Sequence, residues 1–466
     1  DMNLLGGIKM IWNRITGKDI SPDIMAAESR IADWRAIYRG TPEWLDYWYP
    51  TLKGKLQKRV RKTMRPAKMV CSELAGLVWA ETPKLSAPQG VLDVLTAARF
   101  IERAQAETEL MLALGATVLK LYVSDGKIGL DFVQPDRFIP VSWEAGVITE
   151  ADIIDRRVID KKQYIRIERH RKEGDGYKIT SEVFEQRGGD MYPASIALFG
   201  LTEAEAFSPV KMFFYCGNPE ANNIDTDSPL SISIFENARD TLECLDIAFD
   251  ALNSEIVLGK KRIIVPARAL RHIVNTETGK AEKYFDPSDE VFQAFDTEDK
   301  ENLKITDNTV ELRIEEIRRA IQTLLDILAV QIGLSVGSLS FDGVSMKTAT
   351  EVISENSKTF KTKQNIENAL GSAIVAMMES IAGLIVYTGG SVGAEPISIE
   401  WDDSVIEDRN SKTAYVQSRL TGGTLPRYRA IMMLDGVDEA EARKRAEEIA
   451  EENKTVDVTT MFGGIG

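Results

Sequence analysis

Hydrophobic positions in the middle of the chain recur at the spacing of a helical seam. Between Phe235 and Leu258, and again between Glu311 and Ile332, they follow at alternating three- and four-residue steps. Such heptad spacing places a narrow apolar stripe along one side of a helix. At 1.5 Å per residue the helices would be about 36 Å and about 33 Å long, so we predict two matched rods that pack as a stalk. The seam residues are Phe235, Ala238, Leu242, Leu245, Phe249, Leu252 and Ile256, then Ile314, Ile317, Ile321, Leu324 and Leu328.

In the N-terminal half, a period of two replaces the helical period. Helices are predicted over 21–82, where Ser21 and Pro22 form a start signal, and over 90–115. Alternating apolar and polar residues then predict strands joined by Gly and Asp turns. These strands span 117–123, 128–133, 151–159, 164–170, 177–184 and 209–215. An antiparallel meander beside a helical segment makes the fold α+β and predominantly helical.

Shorter segments surround the two long helices. A small β-containing insert, 261–310, separates them; it begins with the basic residues Lys261, Arg262, Arg268 and Arg271 and ends with the acidic residues Asp286, Asp289 and Glu290. A glycine-rich loop, 334–346, follows the second helix. A third long helix is predicted from 347 to 387, with Gly371 and Gly383 favouring kinks. A strand over 396–402 and charged helices from 407 onward complete the pattern.

Two clusters near the N terminus each have two interpretations. The aromatic segment Glu43–Pro50 suits either a satellite of the core or a contact between subunits. The basic run 53–68 suits either a solvated helix entrance or a patch for phosphate or an acidic partner. The sequence leaves both choices open.

The composition is that of a soluble globular protein with an acidic excess. Of 466 residues, 44% are hydrophobic and 28% are charged, and the formal net charge is −15. An extended nucleic-acid-binding surface is typically basic, so broad phosphate binding is disfavoured. The cysteines, Cys71, Cys216 and Cys244, are far apart and predict a reduced intracellular chain in which each is buried or half-buried. The most apolar run, 373–386, is too short to span a membrane, so we expect no membrane partner.

No catalytic signature is recognisable in the sequence. No Gly-Lys pair has the upstream glycine of a phosphate-binding loop, and the only histidines, His170 and His272, lie in different segments. The acidic pairs Asp402–Asp403 and Asp152 with Asp155 are expected by chance among 72 acidic residues. We therefore expect no catalytic residue, no metal site and no cofactor, and we favour a structural or interaction role.

The order of these segments resembles one protein family, the portal proteins of tailed bacteriophages, in the type found in long-tailed phages of Gram-positive hosts. The resembling segments are 134–140, 231–238, 249–266, 333–342 and 347–352. Their combined order is more specific than any single segment. The resemblance implies a ring, usually of twelve subunits, that sits at one capsid vertex and has no catalytic activity of its own.

The resemblance also implies a name for each part of the chain. The wing would comprise 1–225 and 347–406, the stem 226–260 and 311–333, the clip 261–310, the tunnel loop 334–346, and the short helical crown with its tail 407–466. The residues implied to line the tunnel are Leu334, Ser335, Val336, Gly337, Ser338, Leu339, Ser340, Phe341, Asp342, Gly343, Val344, Ser345 and Lys347.

Partners follow from the same resemblance. Double-stranded DNA would pass through the channel. Arg313, Arg318 and Arg319 lie on the polar side of the second stem helix, where they would face the DNA or pair with Glu315, Glu316 or a neighbouring subunit. The terminase large subunit and a head-completion adaptor would contact the charged residues of the clip. The major capsid and scaffolding proteins would surround the ring in the virion, after assembly in the host cytoplasm. Two other hypotheses are a capsid-associated helical adaptor or scaffold without a channel, and a divalent-metal phosphoesterase acting on nucleic acid.

Overall fold

The computed structural model has a mixed α+β fold in which helices predominate. It describes residues 22–50, 54–188, 190–259, 263–266, 272–274, 281–283, 292–295, 306–307, 311–340, 357–401, 409–435 and 437–461. The helices are α1 (Pro22–Arg39), α2 (Pro66–Val78), α3 (Gln89–Ala97), α4 (Phe100–Leu114), α5 (Arg239–Leu258), α6 (Ile314–Gln331), α7 (Ser357–Tyr387), α8 (Arg409–Thr421), α9 (Arg427–Asp435) and α10 (Glu439–Met461).

The strands form several small sheets and one large meander. They are β1 (Asp46–Pro50), β2 (Leu56–Val60), β3 (Lys84–Ser86), β4 (Ala116–Ser124), β5 (Lys127–Val133), β6 (Phe138–Glu144), β7 (Val147–Ile159), β8 (Lys162–Glu173), β9 (Gly176–Arg187), β10 (Asp190–Ala194), β11 (Glu205–Ser208), β12 (Phe213–Gly217), β13 (Ile263–Pro266), β14 (His272–Val274), β15 (Ala281–Lys283), β16 (Phe292–Phe295), β17 (Thr306–Asp307) and β18 (Ser398–Glu400). Strands β6 to β10 follow in order, and β11 joins β9 to complete a six-stranded sheet. A second sheet has the order β12-β4-β5, and β18 returns to pair with β3.

The N-terminal segment is less helical than its sequence pattern predicts. Helix α1 begins at Pro22 as expected, but β1 and β2 form an antiparallel hairpin within the segment predicted to be helical. Three consecutive aromatic residues, Tyr47, Trp48 and Tyr49, favour extended backbone there. The helix predicted over 90–115 is divided into α3 and α4, because Arg99 between them has a left-handed backbone with φ of 53°.

The predicted meander is present and larger than expected. The turns after β4 and β8 place Gly126 and Gly174 at φ values of 72° and 59°, which glycine adopts without strain. Strands β10 and β11 lie within the loosely patterned segment 188–208, where the sequence predicts no strand. The strand predicted over 209–215 begins later, at Phe213.

One large apolar cluster joins the N-terminal helices, the three-stranded sheet, the stem helices and α7. Its buried members include Val70, Leu74, Met111, Phe235, Leu242, Leu245, Leu328, Ile366, Met377 and Ile381. A second cluster, with Phe138, Ile153 and Phe213, lies between this sheet and the meander. Burying each such large side chain contributes about 1.5–3 kcal/mol, so apolar packing holds the meander to the helical part.

Helix α7 runs unbroken through both glycines at which the sequence favours a kink. A Cβ at Gly371 would lie 3.4 Å from Ile399, and a Cβ at Gly383 would lie 2.7 Å from Val210. Both glycines therefore make room for neighbouring segments. Among the described residues, α7 is the one helix that is long and apolar enough to cross a membrane by length and composition. Its large buried apolar side chains belong to the large apolar cluster.

The C-terminal helices start and stop close to the predicted breaks. Helix α8 ends at Thr421, and Gly423 in the following turn has φ of 65°. Helix α10 continues to Met461, beyond the end at Glu451 that its charge pattern indicates. Within the described side chains of α8 to α10, the buried apolar residues are Val416, Ala430 and Ala442. Burial of large apolar side chains therefore contributes little to these three helices.

Candidate functional site

The two stem helices pack antiparallel, and polar contacts align them at both ends. Near the wing, the Thr241 hydroxyl of α5 donates to Gln331 of α6 at 2.8 Å. Near the clip, Arg313 forms an ion pair with Glu255 at 3.1 Å. With 20 and 18 residues the helices are about 30 Å and about 27 Å long. Both are shorter than predicted, because a 3-10 turn precedes α5 and α6 begins at the first seam residue, Ile314, and not at Glu311.

The predicted heptad seam is buried near the wing and opens toward the clip. Leu242 and Leu245 of α5 are buried, whereas Ile256 at the far end is 53% exposed. On α6, Ile321 and Leu328 are buried, and Ile317 nearer the clip is half-buried. We call the buried contact residues the inner seam: Leu242, Leu245, Ile321, Leu325 and Leu328. One chain alone therefore covers only part of the stem.

A second apolar stripe runs along the solvent side of α6. Ile327 and Val330 are 44% and 46% exposed, and Ala320 and Thr323 are also exposed. We call Ala320, Thr323, Ile327 and Val330 the outer stripe. Its members follow at the same three- and four-residue steps as the inner seam. This spacing is present in the sequence, but the larger side chains of the inner seam give the stronger pattern.

Helix α5 also carries small and apolar side chains on its solvent side. Cys244, Ile247 and Ala251 are exposed at helical spacing. This corrects the prediction that every cysteine is buried or half-buried: Cys71 and Cys216 are buried, whereas Cys244 is exposed. The reason is its position, since Cys244 lies two residues after the seam residue Leu242 and points to the opposite side of the helix.

The tunnel loop leaves α6 through a glycine that other residues cannot replace without strain. Gly333 has φ of 82°, and the next amide, of Leu334, donates to the Ala329 carbonyl at 2.8 Å. This contact ends α6 in a Schellman-type turn. The Gly333 carbonyl accepts a hydrogen bond from Thr362 of α7 at 2.7 Å. A Cβ at Gly333 would lie 2.4 Å from the same hydroxyl oxygen.

The first residues of the loop are bound to the beginning of the described part of α7. The Ser335 amide donates to Thr359 Oγ1 at 2.9 Å, and the Thr359 amide donates to the Ser335 hydroxyl at 3.4 Å. Lys358 donates to the Val330 carbonyl at 2.6 Å. We call the residues that fix the loop to α7 the loop anchor: Gly333, Leu334, Ser335, Thr359 and Thr362.

Burial divides the residues that the resemblance assigns to the tunnel. Leu334 and Ser335 are only 1% and 5% exposed, so their side chains face the core and the exposed loop begins at Val336. Val336 is 65% exposed, and Leu339 packs against the large apolar cluster. Gly337 and Ser340 are exposed, and Ser338 is half-buried. Phe341, Asp342, Gly343, Val344, Ser345 and Lys347 lie outside the described residues.

The three arginines singled out on α6 have different environments. Arg313 donates to both carboxylate oxygens of Glu255, at 3.3 Å and 3.1 Å, which raises the pKa of Arg313 and lowers that of Glu255. Arg318 forms an ion pair with Glu315 at 3.4 Å on its own helix. Arg319 is exposed. Arg313 therefore links the two stem helices, a contact within one chain that its position in the sequence does not predict.

Within the insert between the two stem helices, the structure describes the short strands β13 to β17. Strand β13 pairs in parallel with β16 and antiparallel with β17, which agrees with a small β-containing clip. The charged residues assigned to partner contacts lie outside the described residues: Lys261, Arg262, Arg268, Arg271, Asp286, Asp289 and Glu290. Their assignment stays a prediction.

A network of buried charges lies inside the wing, and no sequence pattern indicates it. Lys120 of β4 donates to Glu168 of β8 at 2.7 Å, and His170 Nε2 lies 2.9 Å from the other carboxylate oxygen. Burial by itself raises the pKa of Glu168. The contacts with Lys120, His170 and Arg166 outweigh burial and hold that pKa below its ordinary value. The network joins the three-stranded sheet to the meander.

The acidic pairs weighed as metal sites do not form one in the described part of the chain. Asp152 is fully buried and lies 2.7 Å from Arg171. Burial raises its pKa, and Arg171 opposes that shift. Among the described residues, no group of three or more His, Cys, Asp or Glu side chains could hold a metal ion. Asp402 and Asp403 lie outside them.

One family model matches most of the chain. It is described as phage portal protein, SPP1 Gp6-like, and it matches residues 78–455. Among solved structures, a chain of the virion of a native gene transfer agent particle is 12% identical, with a TM-score of 0.38, covering 80% of this chain and 88% of that one. A chain from the neck of a native gene transfer agent particle computed with C12 symmetry is also 12% identical, with a TM-score of 0.33, over 79% and 88%. No curated protein matches.

Proposed function

This chain belongs to the SPP1 Gp6-like family of phage portal proteins, a structural component of the virion, and from that premise we propose that twelve copies form a DNA-conducting ring at one capsid vertex. In this proposal double-stranded DNA enters through the ring during packaging and leaves through it during ejection. The chain itself supplies no chemical step. Force comes from a separate motor.

The observation that carries the ring is the outer stripe of α6. Two of its residues, Ile327 and Val330, leave large apolar side chains in solvent on a helix whose other side is already packed. Helices with two apolar stripes at heptad spacing pack on two neighbours. The second neighbour is a helix of an adjacent copy, since the inner seam uses the chain's own α5.

The exposed residues of α5 favour a closed ring over a simple dimer. Cys244, Ile247 and Ala251 form a surface different from the outer stripe, so one copy offers two unlike faces. Contact between unlike faces is heterologous, and repeated heterologous contacts close into a ring when the rotation permits. The subunit number of twelve rests on the resemblance to the family.

The charge of the chain supports a channel in which DNA slides. A retained lysine or arginine contact to phosphate adds affinity and resists movement. The formal net charge is −15, and the tunnel loop from 334 to 346 contains no cation, with Lys347 at its border. Its exposed residues begin with Val336 and Gly337, which contact a duplex without forming ion pairs with its phosphates.

The loop anchor supports the same role mechanically. A loop that lines a channel needs a fixed base and a movable outer part. The reciprocal hydrogen bonds between Ser335 and Thr359 and the contact from Thr362 to Gly333 supply the base. Because α7 belongs to the wing core, this anchor couples the loop to the wing.

The remaining partners are proposed from the family resemblance. The clip, with its basic start and acidic end, would receive the terminase large subunit during packaging and a head-completion adaptor afterwards. Scaffolding and major capsid proteins would contact the wing and crown during assembly in the host cytoplasm. Family membership favours this portal over a channel-free adaptor, and the ion-paired Asp152 gives no support to a metal phosphoesterase.

The first test is electron microscopy of the purified protein, with its mass measured in solution. We expect rings with a central hole and a mass near twelve times 51.9 kDa. A stable dimer or an open filament would contradict the ring.

The tunnel-loop assignment has its own test in a DNA-packaging assay. Deleting 336–345, which leaves the loop anchor in place, should preserve rings and impair packaging or retention of DNA. A control variant replaces the same residues by a Gly-Ser segment of equal length, which separates loop length from loop chemistry. Normal packaging by the deletion variant would overturn the assignment.

A further inference from the structure

Helix α1 meets the meander at a place that is rich in arginine. The short 3-10 turn Pro135–Arg137, between β5 and β6, contacts both α1 and β7. Arginines of α1, of this turn and of β7 lie close enough together to act on one another electrostatically. We call these four residues the arginine cluster: Arg35, Arg39, Arg137 and Arg156.

The arginine cluster carries more positive charge than its surroundings offset. Two carboxylates accompany it, Glu28 of α1 and Asp136 of the turn. Four arginines against two carboxylates leave a formal excess of two positive charges, in a chain whose net charge is −15. An anion is therefore attracted to this place more than to the rest of the wing.

Arg35 is the member of the cluster that the chain itself binds. Its Nη1 donates to the Gln134 side chain at 2.8 Å, and its Nη2 lies 3.0 Å from an Asp136 carboxylate oxygen. Burial lowers the pKa of Arg35; Asp136 opposes that shift, and the other three arginines add to it. The carboxylate of Asp136 is therefore already engaged by one arginine of the cluster.

Arg156 is held beside Arg35 without a partner of its own. Its side chain is half-buried, and its Nε is shielded from solvent with no acceptor in reach. Within the part of the chain that the structure describes, the guanidinium of Arg156 makes neither a hydrogen bond nor an ion pair. Arginine is seldom withdrawn from water unless a partner satisfies its donors. Arg156 therefore has donors that a ligand from outside the chain can satisfy.

We propose that the arginine cluster is a binding site for a phosphate group, with Arg156 as its main contact and Arg35 and Arg137 beside it. The planar guanidinium of arginine forms two parallel hydrogen bonds with such an oxyanion. Free inorganic phosphate and the backbone of nucleic acid both present this group. The inference concerns a single chain and does not depend on the proposed ring.

Glu28 makes the proposed site sensitive to pH. Burial raises the pKa of Glu28 to about 7; Arg156 of β7 opposes this shift, and Asp136 of the turn adds to it. Below about pH 7 the Glu28 carboxyl is mostly neutral and leaves Arg156 to the bound anion. Above that pH it ionises and competes with the anion for Arg156. The affinity for an anion should therefore fall as the pH rises through about 7.

Calorimetric titration of the full chain with sulfate tests the site directly. Sulfate has the shape of phosphate and stays doubly charged near neutral pH, where phosphate itself titrates. With sodium chloride of equal ionic strength as the reference, we expect one sulfate bound per chain. Arg156→Gln should weaken this binding at least about tenfold, because two charge-assisted hydrogen bonds are lost. Arg156→Lys keeps the charge without the paired donors and should bind with intermediate affinity.

The matched control is Arg157→Gln, at the next residue of β7. The Arg157 side chain lies on the other face of the strand, 3.6 Å from Asp155 and 4.7 Å from the centre of the Phe199 ring. This control should bind sulfate as the wild type does. Because Arg156 has no partner in the described chain, Arg156→Gln should keep the wild-type thermal stability in chloride at about pH 6. No binding by the wild type, or equal binding by wild type and Arg156→Gln, would overturn the proposal.

The pH dependence is a second readout, which an arginine with only a structural role would not produce. Wild-type affinity for sulfate should be at least about threefold lower at about pH 8 than at about pH 6, whereas Glu28→Gln should bind equally at both. If Glu28→Gln kept the wild-type pH dependence, Glu28 would not belong to the site.

Competition with a short DNA duplex distinguishes the two sources of phosphate. Displacement of sulfate from the wild type, with duplex binding that Arg156→Gln weakens, would identify the nucleic-acid backbone as the ligand. Sulfate binding that the duplex leaves unchanged would identify free inorganic phosphate.

Discussion

The wing and the stem treat charged and apolar side chains in opposite ways. The wing buries charges: Lys120, Glu168 and His170 form a closed network between two sheets. The stem exposes apolar groups: Ile327 and Val330 face solvent on α6. A buried charge is tolerable only when its partners are present in the same chain. The wing therefore satisfies its buried charges within one chain, although it also exposes apolar side chains such as Val158, whereas the exposed apolar residues of α6 lie in a row that another copy can cover.

This difference indicates how the two regions contribute to assembly. A wing that is complete in the monomer keeps its shape before and after the ring closes. A stem with an uncovered outer stripe gains stability only on closure, since burial of apolar area supplies the free energy. The hairpin of β1 and β2 belongs with the stem in this respect, because its side chains Trp48, Leu56 and Val60 are also exposed.

The largest effect on ring assembly is expected from charges placed on the outer stripe. The variant Ile327→Glu/Val330→Glu should leave the monomer folded, because both side chains face solvent in it. In a ring the two carboxylates would be buried without partners, which raises the concentration needed for assembly at least about a hundredfold. Mass in solution and electron microscopy measure this.

The matched control for that variant is Val158→Glu, at a more exposed apolar residue of the wing. It should assemble as the wild type does. If the double variant also formed rings at the wild-type concentration, the outer stripe would not be an interface between copies. The proposed dependence of the stem on other copies would then be wrong.

The next effect tests whether the wing completes its own interior. Glu168→Met should lower the free energy of unfolding by about 3–5 kcal/mol, because it leaves Lys120 charged, buried and without its carboxylate. Denaturant unfolding of the monomer measures it. The exposed pair of Lys84 and Glu400, 3.8 Å apart, is the control, and Lys84→Met should change stability by less than about 1 kcal/mol. Equal effects at the two sites would contradict a closed charge network.

The pH dependence of this effect follows from the direction of the shift. The pKa of Glu168 is held below its ordinary value of 4.5. Its contribution to stability is therefore present above pH 4.5 and is lost as the pH falls through the lower pKa of the folded state. Wild type and Glu168→Met should converge in stability only in acid.

Local periodicity predicted the helices and the meander of this fold. The features that it did not predict depend on contacts between residues far apart in the chain. The seam containing Leu242 and the turn at Gly126 follow from neighbouring residues. Lys120 and Glu168 are 48 residues apart on strands of different sheets, so no spacing along the chain announces their contact. Tyr47, Trp48 and Tyr49 favour extended backbone locally, but the contacts that fix the position of the β1–β2 hairpin come from Asp246 and Asp250 on a distant helix.

In the segment assigned to the tunnel loop, the sequence pattern likewise predicted what depends on neighbouring residues and missed what depends on a distant one. Glycine content correctly indicated the end of α6 at Gly333. It gave no reason to separate Leu334 and Ser335 from the residues that follow. That separation comes from Thr359 of α7, which the chain brings back to the loop after 24 residues.

The junction between stem and wing provides a third, smaller effect. Gly333 and Gly337 have φ values of 82° and 85°, so alanine is strained at either position. Only at Gly333 would the added Cβ also meet Thr362, whereas at Gly337 nothing lies within 4 Å. We expect Gly333→Ala to destabilise by about 2 kcal/mol and Gly337→Ala by about 1 kcal/mol. Thermal unfolding and amide exchange at Ser335 measure the difference. Equal losses would mean that the loop anchor does not hold the loop.

The smallest effect concerns Glu28, one of several carboxylates whose pKa burial raises in this structure. Burial raises the pKa of Glu28 on α1 to about 7; Arg156 opposes this shift, and Asp136 adds to it. Between pH 4.5 and about 7 the folded state therefore binds more protons than the unfolded state, so stability falls as the pH rises through this window. Glu28→Gln removes the cost of ionisation and should be more stable than wild type by about 1–2 kcal/mol at pH 8, with no gain at pH 4. Glu203→Gln, at an exposed position, is the control and should match the wild type at every pH. Parallel pH profiles for wild type and Glu28→Gln would show that α1 opens enough to hydrate this carboxylate, and the contrast between a closed wing and an open stem would then exclude α1.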